Sequence, residues 1–145
     1  LLLAGGSLSV MEAAGVAGAF LGGSISDRLG RRPVIAAATV LTSIFLFAFL
    51  GSRGWILFPI LLALGFCLLS TAPVIMATVQ ESFPENRALA NGIYMAVNFI
   101  STSVVTIIIG RIGDLFSLGT AYAVSAVLIL VGLPFIFLLP KTNGK

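Results

Sequence analysis

Asp27, Arg28, Arg31 and Arg32 are four of the chain's thirteen charged residues. They sit together in Gly23-Ser-Ile-Ser-Asp27-Arg28-Leu-Gly30-Arg31-Arg32-Pro33. A carboxylate among guanidinium groups at a helix end can form charge-assisted pairs, or accept hydrogen bonds from the N-terminal amides of another helix. The bland alternative is a turn whose arginines only set the orientation of neighbouring segments in a membrane. Glu12 is the one acid inside a long apolar run. A carboxylate in an apolar medium is costly and can carry a proton; a wetted position or a structural hydrogen bond would also explain it. Asn91, Asn98 and Thr102 follow at spacings of seven and four, with Ser101 and Thr106 beside them. On a helix they project in nearly one direction, toward a polar cavity or toward neighbouring helices. Ser70, Thr71 and Thr78 surround Pro73, whose missing N–H frees a carbonyl and can bend a helix. Arg111 and Asp114, at i and i+3, read as an ion pair at the membrane surface, worth little in energy.

The residues that are scarce narrow the function. The chain has no His and one cysteine, Cys67, so neither a disulfide framework nor a cluster of metal ligands is expected. No paired acid and base and no nucleophile with an activator stands out, so an enzyme is not expected. No phosphate-binding G-x-x-x-x-G-K-[ST] sequence is present, which argues against an ATP motor in this chain. No cofactor is implied. A basic face of the kind that binds nucleic acid is missing too.

The elements that must carry these residues are set by composition. Of the 145 residues, 59% are hydrophobic and 9% charged, and the mean hydropathy is +1.16. Ordinary soluble domains carry about 25% charged residues. A water-soluble fold of this size could not cover so much apolar surface, so the solvent for most of the chain is the lipid bilayer. A spanning helix needs about 20 apolar residues. The charges divide the sequence into runs of that order at about 2–24, 34–50, 55–79, 88–109 and 118–139. Helices are expected, since open strands leave backbone groups unpaired in lipid and the runs show no barrel-like alternation. The fold class is therefore all-α, a polytopic bundle of about five transmembrane helices.

Alternate connections share one membrane face. Segments 25–33 and 80–87 and the C-terminal tail carry Arg28, Arg31, Arg32, Arg87, Lys141 and Lys145, against Arg53 and Arg111 on the other side. The positive-inside rule makes the first face cytoplasmic, and Trp55 fits an interfacial anchor opposite. Along the first run, Ala14, Gly15, Gly18, Ala19, Gly22 and Gly23 build a small-residue face suited to close helix packing, more so than to substrate contact. Gly23-Ser-Ile-Ser-Asp27 returns as Gly110-Arg-Ile-Gly-Asp114 three runs later, each followed by a glycine, Gly30 and Gly119. An inverted three-helix repeat would produce this echo, and so would the ordinary use of Gly and Asp where helices end.

The spacing G-x-x-x-D-R-x-G-R-R resembles the loop signature of the major facilitator superfamily, with Gly23, Asp27, Arg28, Gly30, Arg31 and Arg32 all matching. Ser26 stands where that family often has Ala or Gly before the Asp. Pro84-Glu-Asn-Arg87-Ala-Leu-Ala-Asn-Gly92 resembles the family's cytoplasmic loop before its eleventh helix, and Leu-Leu-Pro140-Lys-Thr is similar to the end of its last one. The resemblance covers the whole chain and implies part of a twelve-helix fold: residues 1–145 as a partial C-terminal half, helices eight to twelve, without its first helix. The drug-efflux branch of the fosmidomycin-resistance type looks similar.

The resemblance further implies a secondary transporter in the cell membrane, working by alternating access; proton-coupled export of a small molecule such as a drug or metabolite is the first reading, and uptake of a metabolite the second. Its partners would be a small-molecule substrate, the lipid bilayer and an N-terminal half of the same protein. The family's matching Asp and Arg latch the halves together on the cytoplasmic side. Glu12, Asn91, Asn98 and Thr102 are the candidates for a proton or substrate site. The competing reading is a multi-span scaffold or subunit that transports nothing.

Overall fold

The computed structural model describes residues 2–139, so the tail with Lys141 and Lys145 lies outside the described residues. Six helices follow in order: α1 (Leu2–Leu29), α2 (Arg31–Gly51), α3 (Leu57–Ser82), α4 (Arg87–Leu115), α5 (Leu118–Val131) and α6 (Leu133–Ile136). A single 3₁₀ turn, Gly54–Ile56, leads into α3, and no strand occurs among the described residues. Among the described residues, four stretches are long and apolar enough to cross a membrane: Arg31–Gly51, Gly54–Ser82, Arg87–Leu115 and Leu118–Ile136. With 28 residues α1 has the length to cross as well. The protein is an all-α bundle of membrane-spanning helices.

Segment 25–33 is not the loop that its charge density suggests. Helix α1 runs through Asp27 and Arg28 to Leu29, and α2 begins at Arg31, leaving Gly30 alone between them. The Gly30 N–H still bonds the Ser26 carbonyl at 3.0 Å, and its φ of 89° then turns the chain. That positive φ strains any residue with a Cβ, which is why a glycine ends α1 here. Pro33 is tolerated because it falls in the first turn of α2, where its N–H would have no intrahelical partner. The connection after α3 is also short, with helix resuming at Arg87.

Helices α1 and α3 make the tightest pair, through the small residues of both. A Cβ built on Gly18 would run into the Phe66 carbonyl oxygen, and one on Gly65 into that of Met11. A Cβ on Gly22 would lie 2.7 Å from the Ser70 Cβ. The small face of α1 is thus a helix-packing face. Helix α2 lies against α3, α5 and α6: Ile35 packs on Val74 and Ile136, and Leu46 on Leu64 and Ala126. The buried Ser43 hydroxyl donates to the Ala126 carbonyl at 3.1 Å, tying α2 to α5.

Helix α4 stands apart. Ala90 is its one buried residue, although all 29 residues are helical. Near its far end Arg111 and Asp114 do not form the ion pair their spacing suggests. Both side chains are exposed, so water competes for each and little is gained by holding them together. Gly132 and Pro134 interrupt the last span, dividing it into α5 and α6.

Candidate functional site

The charged turn and the end of α3 come together around Arg31. Because α2 begins immediately after Gly30, the Arg31 side chain is carried back against α3 and is only 7% exposed. One guanidinium nitrogen, Nη1, donates to the Val74 carbonyl at 3.3 Å. The other, Nη2, donates to the Glu81 carboxylate in a short, direct ion pair, and lies 3.8 Å from Asp27 Oδ1. Glu81 is half-exposed and the Asp27 side chain 70% exposed. Charge balance at a buried guanidinium therefore comes from two carboxylates, one firmly engaged and one at the edge of reach. A buried arginine needs such partners, because its desolvation is otherwise uncompensated.

Glu81 is the member that sequence reasoning missed. It lies 50 residues from Arg31, and only the packing of α2 on α3 makes them neighbours. Its place in the last turn of a helix facing a cluster of arginines was the signal available.

The rest of the turn divides into residues held inside this chain and residues facing out of it. Ser26 is buried, and its hydroxyl donates to the Gly23 carbonyl at 2.7 Å, so the small residue before Asp27 fills a closed space. Arg28 is exposed, and Arg32 is half-buried with its Nε enclosed and unbonded among the described residues. A Cβ on Gly23 would meet nothing within 4 Å, so its smallness answers no contact within this chain.

The other expected site residues are not gathered with this cluster. Glu12 sits on α1 with its side chain exposed. Asn91 is half-buried and accepts a hydrogen bond from Gln80 Nε2 at 3.2 Å, joining α4 to α3. Asn98 and Thr102 are exposed, one turn apart on α4, with Thr102 Oγ1 3.5 Å from Asn98 Oδ1. The polar line thus begins with a helix–helix bond and continues onto an open face. Around Pro73, Ser70 and Thr78 are buried and bond carbonyls of their own helix, Cys67 and Val74. No group of three or more His, Cys, Asp or Glu that could hold a metal ion occurs among the described residues.

A family model described as Major Facilitator Superfamily matches residues 2–145. The Fosmidomycin resistance protein of Escherichia coli (strain K12) is 29% identical over 133 residues, covering 89% of this chain. The chain spans about a third of that relative's length, 32%. No solved structure matches the chain.

Proposed function

The chain belongs to the major facilitator superfamily, and from that premise we propose that it is the C-terminal part, helices eight to twelve, of a secondary transporter. The transporter works by alternating access, with a proton gradient driving export of a small molecule. The observation that carries this reading is the Arg31 cluster. Such a cycle needs contacts at the cytoplasmic face that hold in one state and release in the other. Arg31 is anchored within this chain by Glu81 and the Val74 carbonyl, whereas Asp27 is largely exposed at the same turn. Asp27 is free to accept hydrogen bonds from a helix end of the N-terminal half, while Arg31 keeps the turn rigid. Gly23, open on its outer side, lets that helix approach closely.

The printed name of the relative bears on the substrate class. Export of fosmidomycin is the reading to try first, and Glu12, Asn98 and Thr102 are the candidates for proton or substrate contact, Asn91 being engaged with Gln80. The charge of the turn supports a cytoplasmic position for the α1–α2 and α3–α4 connections, by the positive-inside rule. A scaffold without transport gains no support from an engaged, half-buried charge cluster.

The test is growth-inhibition profiling of cells expressing the full-length protein, against a compound panel that includes fosmidomycin. Tolerance to at least one compound is expected, and Asp27→Asn should abolish it with membrane insertion unchanged. Loss of insertion in Asp27→Asn would assign the turn to topology alone. Unchanged sensitivity to every compound contradicts export.

A further inference from the structure

The last turn of α3 reaches two neighbouring helices at once. Glu81 pairs with Arg31 of α2, and Gln80, the residue before it, donates from Nε2 to Asn91 Oδ1 of α4 at 3.2 Å. Consecutive residues on a helix point about 100° apart, so one turn can hold a helix on either side. The segment that carries them is braced from within. The Thr78 hydroxyl donates to the Val74 carbonyl at 2.8 Å, and the Ser82 hydroxyl to the Thr78 carbonyl at 2.9 Å. Arg31 Nη1 bonds the same Val74 carbonyl, so Arg31 grips the braced segment near both of its ends.

Helix α4 has few ties of its own. Ala90, beside Asn91, is its one buried residue, and 95–108 is exposed throughout. At the far end a Cβ on Gly113 would rest 3.8 Å from side-chain atoms of Leu118 and Ala121 in α5. Asn98 and Thr102 stand in the open stretch between these two points. A straight helix held near Gly113 and displaced at Asn91 moves Asn98 about two thirds as far and Thr102 about half as far, in proportion to the residues between them.

We propose that Gln80 and Asn91 are positioning residues, which carry the state of the Arg31–Glu81 pair to α4 and so set where Asn98 and Thr102 stand. When Glu81 releases Arg31, the end of α3 is free to shift against α2, and the amide pair draws α4 with it. The coupling is reciprocal: a molecule that binds α4 in one position favours the matching state of the Arg31–Glu81 pair. Its meaning for transport rests on the reading of Asn98 and Thr102 as contact residues; the coupling itself does not. On that reading Asn91 serves transport without touching substrate.

The test is a double-mutant cycle in the full-length protein, with Cys67 and any other cysteine replaced and one cysteine placed at the exposed Ser101. The rate at which a maleimide labels Ser101→Cys reports the surroundings of α4. Glu81→Gln should change that rate by about threefold or more, the scale on which residues of one network couple. In Asn91→Ala, and equally in Gln80→Ala, Glu81→Gln should leave the rate as it was. Ser43→Ala, which breaks the α2–α5 bond instead, should lower the melting temperature and still preserve the response, separating coupling from loss of stability. An equal response with and without the amide pair overturns the inference. So does the absence of any response to Glu81→Gln in protein that remains monodisperse. Labelling needs no transport, so the coupling and the export reading fail separately.

Discussion

Arg31 concentrates the charge chemistry of this chain, and its two carboxylate neighbours are not equivalent. Glu81 is in direct contact with a guanidinium that is 93% buried, while Asp27 lies 3.8 Å away and is 70% exposed. Removing the partner of a buried charge costs about 3–5 kcal/mol when no solvent reaches it, and exposed ion pairs are worth about 0–1 kcal/mol. Glu81→Ala should therefore lower the thermal stability of the purified full-length protein clearly, by an amount between those limits because Glu81 is half-exposed. Asp27→Ala should leave it within about 1 kcal/mol. Melting curves in detergent decide this, and equal losses for the two variants would mean that Arg31 is shared evenly. The sequence announced Asp27 and the arginines through their density. It could not announce Glu81, because a contact across 50 residues exists only once α2 and α3 have packed.

The glycines of α1 show how far spacing alone reaches at the level of the helix. Small residues at i, i+3, i+4 and i+7 spacing identify a packing face, and Gly15, Gly18 and Gly22 are indeed buried against α3. What spacing cannot give is which glycines are indispensable. At Gly18 an added Cβ meets backbone, which cannot rotate away, whereas at Gly23 it meets open space. Gly18→Ala is expected to force α1 and α3 apart and to cost about 1–3 kcal/mol, the usual range for overpacking. Gly23→Ala should leave the packing of α1 on α3 unchanged. A Gly18→Ala protein as stable as the parent would show that the pair does not pack this closely in the membrane. The turn between α1 and α2 was the least readable element. Four charges look like a solvated loop, but one glycine with positive φ suffices to join two helices, and the arginines belong to the helix ends.

For the molecule as a whole, the all-α membrane-spanning class was readable because lipid imposes a single rule: about 20 apolar residues in a helix for each crossing. The candidate site was only partly readable, for a physical reason. Glu12, Asn98 and Thr102 are exposed, on α1 and α4, and α4 buries only Ala90. No neighbour among the described residues covers these faces, so the sequence offers no partner from which to read their role. A bundle with this much open apolar surface completes its packing against lipid or further helices, and on the proposed reading α1 and α4 are the elements through which an N-terminal half would bear on this chain.

The central claim is proton-driven transport, and flux is its most direct measure. The full-length protein is reconstituted in liposomes, and movement of a compound identified by growth profiling is followed under an imposed pH gradient. Flux should follow the gradient, collapse when a protonophore removes it, and lose its pH dependence in Glu12→Gln. Flux indifferent to the gradient in the parent protein, or no flux at all from correctly inserted protein, would contradict the account.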